Sequence, residues 1–113
     1  VFSSGKVYYD LLARAEHSPV RPALVRVERL YSFPEDEIRA VIAGYPNVRD
    51  IVWCQEEPKN MGAWTFVEPR LRAITPNGVS LRYVGRPDRA SPAEGYSGSH
   101  LVEQERITTE AVT

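Results

Sequence analysis

The spacing of apolar residues changes period several times along the chain, and each change marks an element. Val1-Phe2 reads as the end of a strand, and a Ser3-Ser4-Gly5-Lys6 turn follows it. Val7, Leu11, Leu12 and Ala15 then recur at helical spacing, so a helix capped by Ser3 or Ser4 is predicted to run to about Glu16, where His17-Ser18-Pro19 stops it. "ALVRVE", residues 23–28, alternates as a strand does, with Val25 and Val27 facing one way and Leu24 the other. Ser32-Phe33-Pro34-Glu35 has capping-box spacing and opens a second helix, whose stripe is Ile38, Val41, Ile42 and Tyr45 and whose stop is Gly44.

"DIVWC", residues 50–54, is apolar at every position after the aspartate. A strand covered on one face alternates, so this one is predicted to be covered on both, as central parallel strands are. Trp64, Val67, Leu71 and Ile74 return to helical spacing, with Pro69 required to lie near the first turn or to kink the helix. "SLRYVG", residues 80–85, is the last strand. The turn-rich loop "RPDRASPAEGYSGS" follows, then a helix from about His100 that carries Leu101, Val102, Ile107 and Ala111. Strands alternating with helices across short turns predict an α/β fold with a mostly parallel sheet, right-handed crossovers and helices on both faces.

Composition narrows the function classes. The 113 residues suit one domain with one core, 42% of them are hydrophobic, and the net charge is −1. No apolar run approaches the roughly 20 residues of a membrane span, and no positive field points to nucleic acid. Cys54 is the single cysteine, which excludes an internal disulfide and fits a reducing compartment. The chain starts inside what reads as a strand, without initiator methionine or leader, and so reads as a fragment of something longer. Twelve of the fourteen basic residues are arginine, whose planar fork suits carboxylates, phosphates and interface ion pairs.

Candidate chemistry is sparse. Ser4-Gly5-Lys6 lacks the Ser or Thr after lysine that a phosphate loop requires, leaving a structural turn or a simple anion site at a helix N-terminus. Cys54, inside the apolar run and far from His17 and His100, is expected to act as a small hydrophobe. His100 has no second metal ligand at helical spacing. Glu56 and Glu57 diverge as neighbours on a strand do, and one of them is expected to hold an arginine or cap the next helix. What remains is the position of "QEEPKNMGAW", residues 55–64, beyond the carboxyl end of a parallel strand, where ligands and partners collect. Met61 and Trp64 there either fold back over the domain's own core or form an interface.

The stretches "SSGKVYYDLLARAE", "ALVRVERLYSFPEDEI", "YPNVRDIVWCQEEPKNMGAWTFVEPRL" and "LRYVGRPDRASPAEGYSGSHLVEQE" cover nearly the whole chain. Together they resemble the C-terminal domain of the thiamine-diphosphate-dependent 2-oxoglutarate dehydrogenases, with "WCQEEPKNMGAW" and "GRPDRASPAEGY" as the specific signatures. The resemblance implies a three-layer sandwich of transketolase C-terminal-like fold, residues 1–113 forming one C-terminal domain of a longer chain. It implies a homodimeric parent enzyme that works in the citric acid cycle, in bacterial cytoplasm or mitochondrial matrix, and passes a succinyl group to a lipoyl-bearing partner. Thiamine diphosphate and Mg²⁺ are then bound by the preceding catalytic domains, and no catalytic or cofactor residue is expected in this chain. Glu56, Glu57, Lys59, Asn60, Met61 and Trp64 become candidates for docking onto those domains, and Lys6, Arg26 and Arg86 for holding an acyl-CoA or nucleotide effector anion. A stand-alone nucleotide-binding module and the same domain of a 2-oxoadipate dehydrogenase are the alternatives.

Overall fold

Ile51-Val52-Trp53-Cys54 forms the middle of the sheet and is covered on both faces. The computed structural model describes residues 1–88 and 97–113, with residues 97–100 as backbone alone. Its elements are β1 (Phe2–Ser3), α1 (Val7–Ala15), β2 (Val25–Arg26), α2 (Glu35–Ala43), β3 (Asp50–Pro58), α3 (Trp64–Ile74), β4 (Ser80–Arg86) and α4 (Ser97–Val112). The described strands lie in the order β2-β1-β3-β4, all parallel. Alternation along β3 sends Ile51 and Trp53 into a core with α2 and α3, and Val52 and Cys54 into a second core with α1 and α4. The result is three layers, helix pair, sheet and helix pair, which is the α/β architecture expected from the sequence.

The helices bury narrower stripes than their patterns promise. Val7 and Leu11 of α1 are buried, whereas Leu12, one step further round the helix, is 44% exposed. Tyr45 is 51% exposed just past α2, and Leu101 and Val102 are 67% and 69% exposed on α4, whose buried side is Ile107, Ala111 and Val112. On α3 all four expected residues, Trp64, Val67, Leu71 and Ile74, are buried.

Several local expectations are corrected. Neither Ser3 nor Ser4 caps α1: the chain turns at Gly5 (φ 77°) and Lys6 takes the cap position with no side-chain bond. Ser32 does not cap α2 either, because Pro34 occupies the cap position and the Glu35 amide bonds to the Phe33 carbonyl at 2.8 Å. Glu35, Asp36 and Glu37 in the first turn complement the helix dipole instead. Pro69 lies in the second turn of α3, not the first, where its missing N–H leaves the carbonyl of exposed Thr65 to solvent. β2 shrinks to two residues since its partner β1 is equally short. β3 runs past Cys54 to Pro58, and β4 runs on to Arg86, so residues read as loop begin life as strand. The rest of the turn-rich loop, residues 89–96, lies outside the described residues.

The extension of β3 is irregular. Cys54 pairs with Val84, but the next pair is Pro58 with Arg86, so β3 spends two more residues than β4 over the same distance. Gly85 sits opposite this bulge, and a Cβ there would lie 2.8 Å from the Gln55 carbonyl oxygen and inside the Tyr83 phenol. Gly85→Ala is therefore expected to lower the unfolding free energy in urea by about 1–3 kcal/mol. A change of less than about 0.5 kcal/mol would show that the bulge relaxes freely.

Candidate functional site

In an open parallel sheet the crevice for ligands lies at the carboxyl ends of strands where the chain reverses its direction of winding. Here that point is between β1 and β3, since the first crossover leads outward to β2 and the second returns past β1. Ser4-Gly5-Lys6 leaves β1 there, and Gln55-Glu56-Glu57 forms the bulged last part of β3. An ion pair bridges the crevice, Lys6 Nζ donating to Glu56 Oε1 at 2.8 Å. Gln104 of α4 lies over it, its Nε2 donating to Glu56 at 2.8 Å and to Asp10 at 3.0 Å. Glu56 thus holds a lysine and a glutamine rather than an arginine. The lysine is held above its ordinary pKa chiefly by that hydrogen bond, although its side chain is 71% exposed and the pair is worth little in isolation.

Gln55 organises the strap that follows. Its side chain is 2% exposed and points, like Trp53 two residues before it, into the α2–α3 core. Oε1 accepts from Trp53 Nε1 and from the Trp64 backbone N–H, each at 2.9 Å. Nε2 faces the carbonyls of Glu57 (3.1 Å), Pro58 (3.0 Å) and Met61 (2.8 Å). The strap turns through a Met61 N–H to Pro58 carbonyl bond of 2.9 Å and through Gly62 at φ 65°, where the Glu57 side chain packs so closely that a Cβ would meet it at 2.9 Å. Lys59 N–H closes the far side on the Arg86 carbonyl at 3.0 Å.

Tyr83 supports the strap from β4. Its hydroxyl reaches the Arg86 carbonyl at 2.7 Å and the Glu57 carbonyl at 3.1 Å, donating to one at a time. Burial pushes this phenol up to about 12, so it remains a donor at neutral pH. Its ring packs on Trp64 at 5.4 Å and lies 5.6 Å from Lys59 Nζ. Arg106 of α4 reaches in with Nη2, donating to the Gly85 carbonyl at 2.9 Å while paired to Glu103 and Glu110.

The site residues expected from the sequence divide accordingly. Trp64, left open between core and interface, is 8% exposed and belongs to the core, and Met61 is half-buried with its carbonyl taken by Gln55. Glu56 and Glu57 are half-buried, whereas Lys59 and Asn60 are exposed. Lys6 and Arg86 come near enough for their charges to oppose each other, but Arg86 is 3% exposed. Arg26 is engaged elsewhere, paired with Glu28 at 2.7 Å, donating to the Tyr9 hydroxyl, and lying 5.5 Å and 5.4 Å from the Tyr8 and Tyr9 ring centres. His17 is exposed, and the His100 side chain lies outside the described residues.

Sequence reading missed Gln55, Tyr83 and Gln104. The available signal for Gln55 was its place in register with Trp53, a polar residue on the buried face of a doubly covered strand. Also missed was an aromatic cluster on the same rim: Tyr31, 79% exposed, lies 5.1 Å from Phe66, and Phe66 is met by Phe33 at 6.4 Å and by the Arg70 guanidinium at 3.7 Å.

Among the described residues no group of three or more His, Cys, Asp or Glu side chains converges as a metal site would. No chemical step is assigned to the described residues of this site. Cys54 is fully buried, with burial pushing its thiol up to about 12. In the native state it should react with a thiol reagent more than about a hundredfold more slowly than in urea, at a rate that tracks unfolding. Rapid labelling of the folded chain would place it in an accessible site.

Fold and site define a doubly wound, three-layer α/β domain whose carboxyl-edge strap is folded onto its own core. The chain belongs to the 2-oxoglutarate dehydrogenase C-terminal family, whose model matches residues 1–112. It is 53% identical over its whole length to a 2-oxoglutarate dehydrogenase E1 component of Exiguobacterium sp., 46% identical over 99% of its length to that of Coxiella burnetii, and 45% identical over its whole length to that of Bacillus subtilis. The chain spans 12% of the length of each of these relatives.

Proposed function

We propose that this chain is the C-terminal, non-catalytic domain of a 2-oxoglutarate dehydrogenase E1 component, and that its carboxyl-edge rim docks it onto the catalytic domains of the same protein. The parent enzyme decarboxylates 2-oxoglutarate with thiamine diphosphate and Mg²⁺ held outside these residues, and transfers succinyl to a lipoyl-bearing partner. It acts as a homodimer in the bacterial cytoplasm or the mitochondrial matrix, and this domain has the transketolase C-terminal-like topology. The observation that carries the reading is the family match over residues 1–112, joined to relatives that bear the 2-oxoglutarate rather than the 2-oxoadipate name.

The geometry supports docking in preference to chemistry. The crevice at the winding reversal is bridged by Lys6 and Glu56, and the polar atoms of Gln55 are used within the domain. The rim left facing outward carries Lys59, Asn60, part of Met61 and the exposed Tyr31, a mixture of aromatic, methionine and charged groups suited to an interface. An effector anion at this edge would have to displace Lys6 from Glu56 before the lysine could receive it.

Grafting tests the proposal. The Bacillus subtilis relative, with its own corresponding segment replaced by this chain, should decarboxylate 2-oxoglutarate within about tenfold of its native rate when supplied with thiamine diphosphate and Mg²⁺. The relative truncated before that segment should be inactive, and the isolated chain should neither turn over nor bind thiamine diphosphate. A folded graft no more active than the truncation, or thiamine diphosphate binding by the isolated chain, would overturn the assignment.

A further inference from the structure

The chain has three asparagines, Asn47, Asn60 and Asn77, and each sits in a turn closed by a bond from its fourth residue back to its first. Val48 N–H reaches the Tyr45 carbonyl at 3.0 Å, Met61 N–H the Pro58 carbonyl at 2.9 Å, and Val79 N–H the Pro76 carbonyl at 3.2 Å. All three asparagines are exposed, so access to water does not tell them apart. Their place in the turn does. Asn47 and Asn60 take the third position, and the backbone nitrogen that follows each of them is the donor that closes the turn. Asn77 takes the second position, so the nitrogen that follows it belongs to Gly78 and is not the closing donor.

That difference bears on a reaction internal to the dipeptide. The backbone nitrogen after an asparagine can attack the side-chain amide at Cγ, provided that this nitrogen is free and its flank is open. At Asn47 and Asn60 a carbonyl holds the nitrogen, and the side chain of Val48 or Met61 screens it. Both obstacles are missing at Asn77. Gly78 has no side chain, stands at φ 84°, and has no atom within 4 Å of where a Cβ would lie. Among the described residues neither the Asn77 amide nor the Gly78 N–H has a hydrogen-bond partner.

We propose that Asn77 is a site of spontaneous deamidation, modified by the Gly78 nitrogen and water without an enzyme. The Gly78 nitrogen bonds to Asn77 Cγ and gives up its proton, the Cγ–Nδ2 bond breaks, and ammonia leaves with that proton. Water then opens the cyclic imide. Opening at Cγ gives aspartate, and opening at the Asn77 backbone carbonyl gives isoaspartate, whose main chain runs through the side-chain carbons; nothing is oxidised or reduced. Either product places a carboxylate three residues past Ile74, the last residue of α3, and isoaspartate also adds a methylene to the turn that leads into β4 at Ser80.

The test holds the folded 113-residue chain in mildly alkaline buffer and digests samples with trypsin, which puts the three asparagines in separate peptides, 40–49, 60–70 and 73–82. Conversion of amide to acid in peptide 73–82, divided between aspartate and isoaspartate, should run at least about tenfold faster than in the other two, the factor that one retained hydrogen bond is worth. Glycine after asparagine favours the reaction in any conformation, so the rate is measured again in urea. Unfolding should speed Asn77 by less than about threefold, since no opening of the fold is needed to free the Gly78 nitrogen. A larger rise would show that the folded turn protects Asn77, and either that result or a folded rate no greater than at Asn47 and Asn60 overturns the proposal. Asn77→Asp supplies the aspartate product as a standard. Neither outcome depends on the assignment of the parent enzyme.

Discussion

The carboxyl edge of this domain depends on one buried amide side chain. Gln55 continues the face of β3 that carries Trp53, where an apolar residue would ordinarily follow, and both ends of its amide are occupied. One oxygen ties the indole of Trp53 to the first backbone N–H of α3, and one nitrogen gathers the carbonyls of the intervening turn. Removing either half would strand several buried polar groups, each costing about 1–3 kcal/mol. A satisfied network of this kind fixes geometry more than it adds net stability. It sets where β3 ends, how the strap turns at Gly62, and the angle at which α3 leaves the sheet.

That arrangement has a functional consequence. The strap beside the crevice is committed to packing, with Trp64 in the core, Tyr83 beneath it and Lys6 joined to Glu56 across the winding reversal. The docking proposed for this domain would use what the carboxyl edge leaves exposed, Lys59, Asn60 and Tyr31, with half-buried Met61. Membership of the 2-oxoglutarate dehydrogenase C-terminal family gives the proposed seat a context.

The elements whose burial is two-sided or strongly periodic were legible in the sequence. Ile51 to Cys54 announced a central strand, and the Trp64, Val67, Leu71, Ile74 stripe announced α3 with its burial intact. The polar residues after Cys54 concealed the rest of β3, because a bulge lets a strand carry Gln55, Glu56 and Glu57 without alternating. Leu12, Leu101 and Val102 fit helical patterns yet lie exposed, since spacing alone does not fix how wide a stripe the sheet covers. The serines before α1 and α2 had the right chemistry for caps, but Gly5 and Pro34 set the entry of each helix before a hydroxyl could reach it. Within the candidate site the charged residues were visible and the organising amide was overlooked, because its signal is only its register with buried Trp53, and the strand was read as ending at Cys54.

Hydrogen exchange at the Trp64 amide tests the central claim most directly. An N–H in the first turn of a helix has no intrahelical partner and ordinarily exchanges quickly. Bonded to Gln55 within the core, it should exchange only with global unfolding, as slowly as the core amides of β3. Exchange at the rate of an unprotected first-turn amide would show that Gln55 does not hold the strap, and the account of this edge would fall with it.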